Sequence, residues 1–127
     1  MNVVDSSAWI EYLEDGSGAD HFAEPIERID ELLVPAIVLY EVFKQTLRTR
    51  GEKEAHKVVV AMQQSTVVDI DASLALAAAR ISRDLGLAMA DSLILAVARA
   101  HGATLWTQDD DFAGLPDVRY FAKTGNS

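Results

Sequence analysis

The sequence predicts an α/β domain on a mainly parallel sheet, and three observations carry that prediction. Short apolar runs rich in β-branched residues recur along the chain, separated by longer segments with helical spacing. No Asn-Gly hairpin signal joins one such run to the next. Two of the runs end in acid: Val3-Val4 in Asp5, and Leu105-Trp106-Thr107 in Gln108-Asp109. The carboxyl ends of the strands are where an open parallel sheet binds its ligands.

Val3 and Val4 make the first strand, Asp5 stops it, and Ser6 or Ser7 caps a helix through Ala8, Trp9, Ile10 and Leu13. Taken alone, Asp5 also reads as a cap or turn residue. Asp15-Gly16-Ser17-Gly18 is a loop, and Ala19 to Ile29 is helical with Pro25 interrupting it. Leu32-Leu33-Val34 is a strand, after which Pro35 opens a helix running to Gly51. Within that helix Glu41 is enclosed by Ala36 to Tyr40, Val42 and Phe43, so it either turns to solvent or meets a cation.

Glu52 to Gln64 reads as a further helix and Thr66 to Ile70 as a strand. Asp71 or Ser73 starts the helix Leu74 to Leu85, closed by Gly86. Leu87 to Ala98 is apolar on nearly all sides, as a helix buried mid-domain requires, and Asp91 is the exception in it. Gly102 ends that helix, Ala103 to Thr107 is a strand, and Asp109 or Asp110 caps a short helix through Phe112. Val118 to Phe121 closes the sheet as an edge strand.

With 127 residues, half of them apolar, the chain suits one domain over residues 1–122 with a flexible tail at 123–127. The absence of cysteine excludes disulfides, thiol catalysis and cysteine zinc sites, and together with the lack of a signal pattern or long apolar run it points to the cytoplasm. A net charge of −9 argues against nucleic-acid binding, but its distribution softens the argument. Residues 11–31 hold eight acids against Arg28 alone, whereas residues 44–57 hold Lys44, Arg48, Arg50, Lys53 and Lys57 against Glu52 and Glu54. Each run is also what a solvated helix face looks like.

Four carboxylates stand out: Asp5 and Asp109 at strand ends, Glu41 and Asp91 in apolar helical surroundings. Clustered carboxylates repel unless a cation neutralises them, and an all-oxygen set selects hard ions such as Mg²⁺ or Mn²⁺. His21, His56 and His101 show no metal-ligand spacing, and there is no P-loop, GxGxxG or GxSxG. A haloacid-dehalogenase-type phosphoryl-transfer enzyme would need an acid at position 7, which is Ser7. A receiver domain would need an acidic pair at the first strand and a late lysine, and has neither here.

Over nearly its whole length the chain resembles a PIN domain, and specifically the VapC-type toxins of type II toxin-antitoxin pairs. The resemblance is carried by VVDSSAWIEYL, PAIVLYEVFK and LAMADSLILAVARAHGATLWTQDDDF, in that order and spacing. It implies a three-layer α/β/α fold and a metal-dependent endoribonuclease. Its catalytic acids carry over to Asp5, Glu41, Asp91 and Asp109, of which Asp5, Asp91 and Asp109 hold one or two Mg²⁺, with Mn²⁺ as substitute. Ser6 and Thr107 are supporting hydroxyls and Asp111 a further acid; the T-x-D spacing favours Asp109 over Asp111 for the metal. Lys44, Arg48, Arg80 and Arg83 are candidate RNA contacts. The resemblance further implies a small VapB-like antitoxin laid across the toxin, paired toxin subunits, and higher toxin-antitoxin assemblies. Trp9, Tyr12, Phe22 and Ile26 are either a receiving surface for that partner or core. The rival from another class is a PIN-like protein-binding module that has lost its activity.

Overall fold

A computed structural model describes residues 1–123; all but the first residue of the predicted tail lie outside them. The elements are β1 (Asn2–Val4), α1 (Ser6–Leu13), α2 (Ala19–Glu27), β2 (Leu32–Pro35), α3 (Ala36–Arg50), α4 (Glu52–Met62), β3 (Thr66–Val68), α5 (Ala72–Leu85), α6 (Met89–Ala100), β4 (Thr104–Thr107) and β5 (Val118–Tyr120). Two 3₁₀ turns, Ile29–Glu31 and Asp110–Phe112, complete the list.

All five strands are parallel, in the order β3-β2-β1-β4-β5. The chain steps outward from β1 to β2 to β3, then crosses back to pair β4 with the other side of β1. Right-handed crossovers in opposite directions put α1 to α4 on one face and α5 and α6 on the other. The reversal falls between β1 and β4, where the strand ends splay their connections apart and leave a crevice.

Local chemistry explains the boundaries. Asp5 caps α1, its Oδ1 accepting the Ala8 N–H at 2.9 Å, and Asp71 caps α5 through the Leu74 N–H at 2.8 Å. These carboxylates take the cap role that the serines Ser6, Ser7 and Ser73 were also fitted for. Gly51, at φ +88°, turns α3 directly into α4, a conformation that a β-carbon would strain. Several boundaries differ from expectation by a residue or two, Pro25 sits inside α2 without interrupting it, and three of the differences have a local cause. The α2 helix stops at Glu27 because Arg28 leaves helical geometry (φ −91°, ψ 72°) before the first 3₁₀ turn. Strand β3 stops at Val68, since Asp69 and Ile70 are exposed and lead into the Asp71 cap. The α6 helix begins at Met89, two residues late, because Leu87 is spent on the connection and its carbonyl accepts the Ser82 hydroxyl at 2.7 Å.

The core forms around β1, β2 and β4, where Val3, Val4, Val34 and Leu105 are fully buried, and extends to Val38, Val42 and Phe112. In α6 every residue from Ser92 to Ala98 is buried, as its all-round apolar sequence required. Trp9, Phe22 and Ile26 are core residues and Tyr12 is half-buried, so of the two readings of these side chains the packing one holds. Phe22 meets Phe121 edge-on, and Phe121 stacks at 6.0 Å on Trp106, whose indole N–H donates to Asn2 across the β1/β4 pair at 2.8 Å. That bond fixes the register on which the crevice depends. Among the described residues no helix is long and apolar enough to cross a membrane.

Candidate metal centre

In the β1/β4 register Val4 lies beside Trp106, so Asp5 comes level with Thr107. The Asp5 N–H donates to the Trp106 carbonyl at 3.2 Å, which extends the pairing one residue beyond the strand. Thr107 then joins the two strand-end acids. Its hydroxyl donates to Asp5 Oδ2 at 2.6 Å and accepts the Asp109 N–H at 2.9 Å. Ser7 donates to the same Asp5 carboxylate at 3.0 and 3.2 Å, so Asp5 is only 2 % exposed yet surrounded by donors. Burial outweighs those hydrogen bonds, and with the Asp109 charge adding to it, the Asp5 carboxyl is raised to about 6.

Asp91 stands at the third position of α6, half-buried, where the positive end of the helix favours an acid. Its carboxyl is also raised to about 6, first by burial and then by the charges of Asp109, Asp5, Asp111 and Glu41. Five acids from four parts of the chain therefore converge on one point. One carboxylate oxygen each from Asp91, Asp109 and Asp111 fall within 4.8 Å of one another. The second 3₁₀ turn explains the run of three aspartates. Asp109 Oδ1 accepts the Asp111 N–H at 3.0 Å and caps the turn, which brings Asp109 and Asp111 together and leaves Asp110 exposed. Glu41, from α3, neither faces solvent alone nor pairs with a base; its Oε1 accepts the Ser6 hydroxyl at 2.5 Å.

Asp5, Glu41, Asp91 and Asp109 line a single cavity of about 550 Å³, together with Lys44 and Arg48 from α3. Arg80 and Arg83 do not reach it. They are exposed on α5, which follows the far edge strand β3, and Arg83 is paired with Asp84 at 2.7 Å. Two other cations of the basic run lie elsewhere: Lys57 pairs with Glu54 at 3.4 Å, and Arg50 lines a separate groove among α1, α3 and α4. Sequence reasoning missed Ser7 as a donor to Asp5, and Tyr40 and Gln45 as cavity walls. Helical spacing from Glu41 was the available signal, since Tyr40, Lys44, Gln45 and Arg48 share its side of α3.

Among the described residues no basic side chain forms an ion pair with any of the five acids. Asp91 accepts no hydrogen bond there either. Such a set, without histidine or cysteine, fits a hard divalent cation and leaves a soft one poorly served.

A parallel α/β fold with a carboxylate-lined crevice at its topological switch point defines the class of protein: an α/β domain centred on a cluster of acids. A PIN-domain family model matches residues 3–118, and the chain belongs to the PIN-domain family. Among solved structures it is similar to a toxin-antitoxin complex from Klebsiella pneumoniae, at TM-score 0.83 and 21 % identity over 97 % of this chain and 100 % of that one. It is also similar to VapC20 of Mycobacterium tuberculosis, a sarcin-ricin loop cleaving toxin (TM-score 0.70, 20 % identity, 91 % and 95 % of the two chains). FitAcB from Neisseria gonorrhoeae aligns at TM-score 0.69 and 21 % identity over 95 % and 96 %. At these identities the likeness is one of fold. A search of curated protein sequences gives no match.

Proposed function

We propose that the chain is a Mg²⁺-dependent endoribonuclease, the toxin of a VapBC-type pair, acting in the cytoplasm and inhibited by a cognate VapB-like antitoxin. One observation carries this reading: four carboxylates line one cavity with a fifth, Asp111, close to two of them, and among the described residues none is in an ion pair, on a PIN-domain fold. The fold neighbours described as toxins and toxin-antitoxin complexes support the role and the partner, and pairing of toxin subunits goes with it.

Asp5, Asp91 and Asp109 would hold the cation, with Asp111, whose carboxylate lies within 4.8 Å of those of Asp91 and Asp109, as a further ligand and Glu41 beside them in the cavity. A bound Mg²⁺ or Mn²⁺ supplies positive charge against the phosphodiester and makes water a better nucleophile at neutral pH. The protein's own groups do the rest. Asp5, pinned by Ser7, Thr107 and the Ala8 N–H, sets the position of Asp109 through the shared Thr107 hydroxyl. Asp91, whose oxygens are uncommitted to protein donors, orients the attacking water and accepts its proton as the new phosphorus–oxygen bond forms; the ester bond opposite breaks and its leaving oxygen takes a proton from solvent. Lys44 and Arg48 neutralise phosphates on the α3 side of the cavity, whereas Arg80 and Arg83 have no part in it.

The rival, a binding module that has lost its activity, would have no use for a cluster of like charges that helps to raise the Asp91 and Asp5 carboxyls. The deciding experiment incubates antitoxin-free protein with single-stranded and structured RNA in Mg²⁺, in Mn²⁺ and in EDTA. Cleavage in either metal and its loss in EDTA are expected. Metal-independent cleavage, or none on any RNA tried, rejects the reading.

A further inference from the structure

The α3 helix carries more than charge into the cavity. Tyr40, Glu41, Lys44, Gln45 and Arg48 all line it, and their spacing makes one continuous stripe along the helix. Tyr40 is out of place there as a structural residue. It is 58 % exposed, its hydroxyl has no partner among the described residues, and it belongs to no core cluster. Among the described residues its only ring contact is the Lys44 ammonium, 5.7 Å from the centroid, so the ring is left exposed where it lines the cavity.

A second cavity of about 400 Å³ adjoins the first, the two meeting at Ser7 and Asp109, and its walls include Gln108, Tyr120 and Lys123. Asp109 therefore lies on the boundary between two hollows, with Asp5, Glu41 and Asp91 in the first. A phosphodiester held at the acids has room for chain on both sides, with a cation-bearing wall in each direction. What the α3 side offers beyond phosphate binding is a flat, exposed aromatic face beside two cations, the combination that binds an unpaired base together with its backbone.

We infer that Tyr40 is the stacking platform for the nucleobase next to the scissile phosphodiester, with Lys44 and Arg48 holding the phosphates on that side. This rests on the ribonuclease reading and deepens it, because a stacked base must be unpaired: the substrate is a single strand or loop, selected by an aromatic contact that duplex RNA cannot make.

The test compares the parent with Tyr40→Ala, Tyr40→Phe and Tyr40→Trp. Binding of fluorescein-labelled single-stranded RNA is followed by anisotropy in EDTA, and cleavage of the same RNA separately in Mg²⁺. Loss of the ring should weaken binding and raise KM by roughly 5- to 150-fold, the range for one base–aromatic stack, with kcat little changed. Tyr40→Phe and Tyr40→Trp should restore both. An RNA abasic at the nucleotide flanking the cut should bind parent and Tyr40→Ala alike. The inference is overturned if Tyr40→Ala binds and cleaves as the parent does, if Tyr40→Phe is as defective as Tyr40→Ala, or if the abasic RNA leaves the difference intact; the exposed ring then falls to a protein partner. A parent that binds single strands without cutting them would reject the nuclease reading, while the binding comparison still decides the role of Tyr40. A parent that does neither would reject both.

Discussion

Asp5→Asn is expected to stabilise the metal-free protein at neutral pH, although it alters the most heavily hydrogen-bonded acid of the site. Asparagine keeps a carbonyl oxygen for the Ala8 N–H, so the α1 cap survives. What it removes is a buried charge. The gap between an ordinary carboxyl at 3.8 and Asp5 at about 6 corresponds to about 3 kcal/mol lost by folding with Asp5 ionised. Against that, the amide must turn its NH₂ toward Ser7 or Thr107, and the hydroxyl there loses its acceptor, at about 1 kcal/mol. The net gain is about 2 kcal/mol, or roughly 6–10 °C in melting temperature for a domain of this size. The pH dependence distinguishes this cause from any other. Asp5 is raised, so between about pH 4 and 6 the folded parent keeps a proton that the unfolded chain has released, and parental stability falls as pH rises through that window. The advantage of Asp5→Asn should therefore be absent near pH 4, open toward pH 6 and stay level above. Melting curves of both proteins in EDTA from pH 4 to 8 measure it. A difference that does not vary with pH, or a variant less stable than the parent at pH 7.5, would refute the reasoning.

Three further outcomes are expected. Asp91→Asn should fold and lose at least ~100-fold in RNA cleavage, as for loss of one electrostatic catalytic group; circular dichroism and a cleavage time course check this. Free Mg²⁺ at 100 times its dissociation constant should stabilise the parent by about 2.7 kcal/mol, and Asp91→Asn or Asp109→Asn should shrink that response while being no less stable than the parent in EDTA; a Mg²⁺ titration followed by melting measures both. Lys44→Ala and Arg48→Ala should weaken RNA binding and flatten its salt dependence, whereas Arg80→Ala and Arg83→Ala should leave binding as in the parent, read by anisotropy at several salt concentrations.

The succession of strands and helices along the chain and the position of the acids were legible because each left a local mark. Asp91 interrupts an apolar helix, and Asp5 and Asp109 each end an apolar strand, so burial and placement could be read from neighbours alone. Glu41 was legible as an anomaly but its answer was not: a serine 35 positions away supplies the hydrogen bond, and nothing local announces that. The choice between Asp109 and Asp111 was likewise hidden, because the 3₁₀ turn folds both toward Asp91. The four candidate cations looked equivalent as charges in sequence. Only the sheet order separates them, sending α3 past the crevice and α5 to the far edge. Trp9 and Phe22 illustrate the same limit, since an aromatic on an amphipathic helix does not say which side the core lies on.

The hydrogen bond between Thr107 and Asp5 spans 102 residues of chain. Four of the converging acids do not include Asp5, yet the last of them, Asp109 and Asp111, are encoded in the final fifth of the sequence. A nascent chain thus carries Asp5 long before Asp109 is made, and cannot complete the centre until β4 has been inserted beside β1. On the ribonuclease reading proposed above, assembly order becomes a safeguard: the ribosome producing the chain meets no finished site until β4 has emerged and joined β1.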